Sequence, residues 1–266
     1  MILDRFSLKG KVAVVTGAGR GIGQGIALGF AQAGADVVCT ARTADQIETT
    51  AAQVRQGGQK ALAVACDVRE VDQVGNMVKQ VMQEFGHIDV LVNNAGGGIF
   101  RTVMAASPRS FESDLRTNLI GAFLCIKAIA PVMQKQKSGS IINISSRESQ
   151  MPAIGMGAYG AAKAGLNSIT KTLAWELAPH VRVNAILPGS ILTPTNIGFL
   201  GGVKDLLIEA TPMKRTGTPE DIALAAIFLA SSASDWMTGK LLEIDGGMEY
   251  SYNIHQQLGT TASHGA

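Results

Sequence analysis

The chain has 266 residues, 46% of them hydrophobic and 17% charged, with a formal net charge of +2. That balance excludes a disordered chain, and without a long basic run it calls for neither nucleic acid nor an anionic membrane as partner. Three cysteines (Cys39, Cys66, Cys125) without paired spacing and four scattered histidines exclude a disulfide framework and a metal-ligand cluster, and read as reduced thiols in a cytoplasmic protein.

Val12 to Thr16 is a short apolar run and the predicted first strand. It leads into Gly17-Ala18-Gly19-Arg20-Gly21-Ile22-Gly23, after which Ile22, Ile26 and Phe30 recur at four-residue spacing as an amphipathic helix that Gly34 stops. Strand, glycine turn and helix in that order form the context of a dinucleotide fingerprint. The glycines let the backbone approach a pyrophosphate, which sits on the free N–H groups and positive dipole end of the helix. A bare glycine turn can also be no more than a tight packing turn. The second predicted strand is Ala35 to Thr40. An NAD enzyme carries an acid at its end for the ribose 2′-hydroxyl, but here the chain reads Ala41-Arg42-Thr43. Nothing there repels a phosphate; Arg42 could grip one bidentately, with Arg20 as a second clamp. The expectation is NADP(H), with NAD(H) possible; the alternative is that both arginines are merely solvated.

A helix over Thr43–Gln56 is followed by strand Ala61–Cys66, the pair Asp67-Val68, and a helix over Glu70–Phe85. Strand Ile88–Val92 runs into Asn93-Asn94-Ala95-Gly96-Gly97-Gly98, where small residues let a flat ring lie on the backbone. Ser107-Pro108 caps the next helix. Asn118 in its interior is a local conflict with helix propensity, of the kind that clusters at functional sites, and Pro131 either kinks this helix late or marks its last turn. Strand Ser140–Ser145 precedes a Gly- and Met-rich loop and a helix over Gly157–Leu177. Strand Val181–Leu187 ends at Pro188-Gly189, and Ser190–Pro212 has the look of a mobile lid with an apolar underside. A helix over Ile222–Ala230 and strand Leu241–Ile244 complete the pattern. The stretch Met248–Ala266 is polar, either a disordered tail or an arm on a partner subunit. Strands alternating with helices predict an α/β fold: a single-domain Rossmann-type doubly wound sheet of about seven parallel strands with helices on both faces. Gly17, Asn93, Ser146 and Pro188 all fall at carboxyl ends of strands, where such sheets bind ligands.

Tyr159 and Lys163 form a Tyr-x-x-x-Lys pair, four residues apart and therefore on one helix face. An ammonium one turn away is expected to lower the phenol's pKa, so that the phenol can pass a proton to or from an alcohol or carbonyl oxygen near neutral pH. Ser146, 13 residues before the tyrosine, sits at the rim of the fifth strand. Ile99, Phe100, Ile154, Met156, Phe199, Leu200 and Met213 suggest a hydrophobic substrate. Arg147, Glu148 and Gln150 either orient a polar substrate group or are a solvated loop.

Together these residues resemble the short-chain dehydrogenase/reductase family over about residues 8–247. The shared motifs are Thr16-Gly-x-x-x-Gly21-x-Gly23, Asp67, Asn93-Asn94-Ala95-Gly96, Asn118, Ser146, Tyr159-x-x-x-Lys163, Pro188-Gly189 and Thr193. The resemblance implies roles. Tyr159 is the catalytic acid or base, Ser146 hydrogen-bonds the substrate oxygen, Lys163 holds the nicotinamide ribose and lowers the tyrosine pKa, and Asn118 anchors a relay water. Gly17, Arg20, Gly21, Ile22, Gly23, Arg42, Thr43, Asp67, Val68, Asn94, Ala95, Gly96, Pro188, Gly189, Ile191 and Thr193 fall in cofactor-binding positions, with Tyr159 and Lys163. Arg147, Glu148, Met156 and Phe199 are the substrate candidates. The resemblance also implies a homotetramer and a small-molecule substrate. The expected activity is NADP(H)-dependent hydride transfer to or from a bulky secondary alcohol or ketone such as a hydroxysteroid. The alternatives are a 3-oxoacyl-thioester reductase or a non-catalytic NADPH sensor.

Overall fold

The computed structural model describes residues 1–194 and 196–248, the side chains of Phe199 and Leu200 excepted. Its centre is one parallel sheet of strands β1 (Val12–Thr16), β2 (Asp36–Ala41), β3 (Ala61–Ala65), β4 (Val90–Asn93), β5 (Gly139–Ile144), β6 (Val181–Pro188) and β7 (Leu241–Ile244), in the order β3-β2-β1-β4-β5-β6-β7. The near-continuous apolar runs follow from burial on both faces. Alternate β1 residues serve opposite cores. Ala13 and Val15 pack under helices α1 (Gly21–Gln32), α2 (Ala44–Gln56) and α9 (Pro219–Ala230). Val12 and Val14 pack under α3 (Val71–Phe85) and α5 (Gly121–Gln136), joined by Ala174 of α6 (Gly157–Glu176). The chain order reverses direction between β1 and β4, which opens a crevice beyond their carboxyl ends.

Helix α4 (Pro108–Leu115) continues into α5 through a π-turn over Arg116–Ile120, and Pro131 lies inside α5 rather than ending it. By length and composition this is the one helix among the described residues that could cross a membrane; here it forms a layer on the sheet through Cys125, Ile126 and Ile129. The expected lid contains two short helices, α7 (Ile197–Leu200) and α8 (Lys204–Ala210), and Leu207 of α8 packs on Met248. The rest of the polar C-terminal stretch, residues 249–266, lies outside the described residues.

Candidate active site

The glycine turn is clipped onto the end of β4. The Thr16 hydroxyl donates to the Val92 carbonyl at 3.1 Å and accepts from the Asn94 and Ala95 amides at 2.9 and 3.0 Å. The Asn94 side chain donates to the Thr16 and Gly17 carbonyls at 2.9 and 3.3 Å. Two steric facts explain the glycines. Gly17 and Gly21 have φ of +67° and +59°, and a Cβ on Gly23 would lie 2.3 Å from the Gly17 carbonyl oxygen. Helix α1 carries no side-chain cap at Arg20, which leaves its first N–H groups without a side-chain partner from that residue. Thr193 lies against Gly21, and Ile191 is buried beside Gly217. Gly189 donates its amide to the Ile244 carbonyl at 3.1 Å, which ties the end of β6 to β7. This bare cradle fits a pyrophosphate.

Arg20 and Arg42 are exposed. Asp67 is not free: Arg69 grips it, with Nη2 2.6 Å from its carboxylate, and these hydrogen bonds, with a smaller contribution from the Arg42 charge, hold the carboxyl below its usual range. Arg69 was not among the expected site residues, although an opposite charge two positions after Asp67 was its signal. Val68 is buried against Gly121, where a Cβ would lie 2.7 Å from the valine side chain. Thr43 precedes α2 as its N-cap residue, and Ile22 packs on the core.

The polar residues of the second half gather at the ends of β4 and β5. Asn118 resolves its conflict with the helix by the π-turn. Its amide donates to the Asp114 carbonyl at 3.0 Å and the Gly97 carbonyl at 2.9 Å, and accepts from the Gly97 amide at 2.9 Å. A Cβ on Gly96 would lie 2.4 Å from the Asn118 side-chain oxygen and 3.5 Å from the Lys163 nitrogen, so only glycine lets Asn118 close on the backbone there. Gly98 plays the same part for Tyr159 and Met156. Lys163 is buried, and its ammonium donates to the Ile144 carbonyl at 2.8 Å. Beneath lies a polar chain that sequence reasoning missed. Asn93 donates to Asn143 at 2.9 Å and Asn143 to Thr170 at 2.8 Å, pinning α6 to β4 and β5. An asparagine inside the run Ile141-Ile142-Asn143-Ile144 was the available signal.

Two expectations are corrected. The Tyr159 phenol is not lowered: burial raises it above its ordinary value, the Glu148 carboxylate raises it further, and Ser146 opposes them. Lys163, 5.6 Å from the tyrosine ring centre, is itself pushed down to about 8 by burial. Arg147 is neither solvated nor free for substrate. It is buried, with Nη1 2.7 Å from Glu243 and Nε 2.8 Å from Asp245, and it stitches the loop after β5 to β7. Glu148 accepts the Ser146 hydroxyl proton in a hydrogen bond. Ile99, Arg101, Val103, Asp114 and Met156 line a small cleft beside α6, in which burial pushes the Asp114 carboxyl up against the opposing Arg101 charge. The Phe199 side chain lies outside the described residues.

A family model described as enoyl-(acyl carrier protein) reductase matches residues 17–249. An uncharacterized oxidoreductase of Mycobacterium tuberculosis is 43% identical, over 94% of this chain and 96% of its own. The chain belongs to the short-chain dehydrogenase/reductase family. It is thus an oxidoreductase. Among other family members, a 3-oxoacyl-[acyl-carrier-protein] reductase of Staphylococcus epidermidis is 39% identical, over 90% of this chain and 98% of its own. A 7α-hydroxysteroid dehydrogenase, solved with NADH and 7-oxo glycochenodeoxycholic acid, superposes with a TM-score of 0.90 at 34% identity, covering 94% of this chain and 98% of that one.

Proposed function

We propose that this short-chain dehydrogenase/reductase is an NADP(H)-dependent enzyme acting on a secondary alcohol or ketone with a bulky hydrophobic body, such as a hydroxysteroid. The observation that carries the proposal is the grouping of Tyr159 with Ser146 and Lys163, with Asn118 and Lys163 both set against Gly96. Bound nicotinamide supplies or accepts the hydride. Gly17 to Gly23 and the start of α1 hold the pyrophosphate, and Thr193 and Ile191 flank it. Tyr159 carries the proton of the reacting oxygen, Ser146 orients that oxygen, and Asn118 and Lys163 organise the proton path behind it. Arg42 and Arg20, exposed beyond an alanine at the end of β2, favour a 2′-phosphate. The partly exposed Ile120 at the end of the π-turn and Phe123 on α5, with the exposed Trp175 on α6, support assembly as a homotetramer. Three buried free thiols support a cytoplasmic setting.

A 3-oxoacyl-thioester reductase is the second reading, favoured by the Staphylococcus relative. A coenzyme assay separates them: NADP or NAD with hydroxysteroids and simple secondary alcohols, and NADPH with a 3-oxoacyl thioester. Turnover of hydroxysteroids with NADP supports the first reading, and turnover of the thioester alone supports the second. A preference for NAD removes the role given to Arg42 and Arg20. Tight NADPH binding without turnover of either class moves the reading to a sensor.

A further inference from the structure

Ser146 has one hydroxyl proton, and in this structure it is given to the carboxylate of Glu148. That proton is the one a substrate oxygen would need from the serine. Glu148 stands two residues on, in the short 3-10 turn Arg147–Ser149, half-buried beneath the start of α6. The backbone there is closely covered: a Cβ on Gly160 would lie 2.7 Å from the Glu148 carbonyl oxygen. On that covered backbone, the Ser146 hydroxyl holds the carboxylate.

The other charges around it are committed elsewhere. Arg147, the nearest cation in sequence, is turned away onto Glu243 of β7 and Asp245 just beyond it. Lys163, one turn beyond Tyr159 on α6, donates a hydrogen bond to the Ile144 carbonyl. Arg101 and Asp114 face each other across the small cleft beyond Met156. No cation among the described residues forms an ion pair with Glu148.

We propose that Glu148 is a positioning residue that extends carbonyl reduction to higher pH, and moves the onset of alcohol oxidation up with it, by occupying the Ser146 proton and keeping the reaction's other proton on Tyr159. The reasoning is electrostatic. A negative charge near the phenol opposes formation of a second one, as burial already does. An alkoxide developing on the substrate must compete with Glu148 for the serine proton, so its charge is better quenched by direct proton transfer from Tyr159. In that direction the carbonyl carbon accepts the hydride supplied by bound reduced nicotinamide, and the carbonyl π pair moves to oxygen. The oxygen takes the phenolic proton. The products are the alcohol, oxidised nicotinamide and a tyrosinate that recovers its proton from water. Alcohol oxidation needs the phenol as a base, the form Glu148 disfavours.

The inference rests on the reading of Tyr159 as the proton-transfer group, but its test needs no substrate. The chain has three tyrosines, Tyr159, Tyr250 and Tyr252. Subtracting the tyrosinate absorbance of Tyr159→Phe from that of the parent, in rapid pH jumps on the full chain, isolates the Tyr159 phenol. Glu148→Gln removes the charge and keeps the shape; Glu148→Ala removes both. The expected result is a Tyr159 midpoint at least ~1 pH unit lower in both variants, with NADPH binding retained. The alkaline limb of ketone reduction should fall by the same amount once a substrate is known. An unchanged midpoint in both variants overturns the proposal. So does a shift in the alanine variant alone, because solvent entry rather than charge would then explain it. A hydroxysteroid assay that fails while the phenol midpoint shifts removes the substrate reading and leaves this one standing.

Discussion

Replacing Lys163 by methionine should stabilise the cofactor-free protein at neutral pH and lose that advantage in alkali. The ammonium is buried, and its folded-state pKa is pushed from 10.5 down to about 8 by desolvation. For a base with a depressed folded pKa, the unfolded chain holds the proton more tightly, so the charged lysine destabilises the fold below about 8. Between about 8 and 10.5 the unfolded state binds more protons than the native state, and stability rises with pH. At 1.36 kcal/mol per pKa unit the change across that window is about 3 kcal/mol, as an upper bound. The assay is urea unfolding of parent and Lys163→Met from pH 7 to 10.5 under reducing conditions. The buried cysteines and Tyr159 titrate in both proteins, so the difference between the two isolates the lysine. The stability difference, variant minus parent, should be largest at pH 7 and shrink by up to that amount by pH 10.5. A difference that stays flat within about 0.5 kcal/mol would refute the claim that Lys163 is held in a charge-excluding site.

Other substitutions test the remaining joints of the site. Gly23→Ala sets a methyl group 2.3 Å from a backbone carbonyl oxygen that cannot swing away, so thermal unfolding should register a loss of about 1–3 kcal/mol, and NADPH fluorescence titration a weaker complex. Asn118→Ala leaves the Gly97 amide and carbonyl unpaired in the loop after β4; about 1–3 kcal/mol of stability should go, along with most turnover, while the far-UV spectrum stays the same. Arg147→Met strips the cation from Asp245 and Glu243 and should cost about 3 kcal/mol in urea unfolding. Adding Asp245→Asn to that variant should recover part of the loss; no recovery would mean that the ion pair is not what the arginine supplies.

The motifs that located the site were local ones. A glycine turn between β1 and α1, the small residues after β4 and the Tyr-x-x-x-Lys spacing on α6 each depend on a few consecutive residues, so they were readable before folding. From its own surroundings in the chain Asn118 stood out as a misfit in a helix, and its role came only from the family resemblance. Its use could not be read, because its partner Gly97 lies on a loop 21 residues away in sequence. Arg147 was misjudged for the same reason at greater range: its partners Glu243 and Asp245 come nearly a hundred residues later, and nothing near the arginine announces them.

The alternation of apolar runs with helical periodicity already determined a parallel sheet covered on both faces, because only two-sided burial makes strands as apolar as Val12–Thr16 and Ile141–Ile144 worth forming. Chain order also determined that the polar motifs would share one rim. What the tertiary structure alone decided was the proton affinity of that rim. The expectation from spacing was a phenol lowered by its neighbouring ammonium. Desolvation of both groups, together with a carboxylate from a different turn, sets the phenol high and the ammonium low instead. Charge energies in a buried site depend on which groups the fold encloses and which it leaves to water, and that is a property of the packed molecule, not of any segment of its chain.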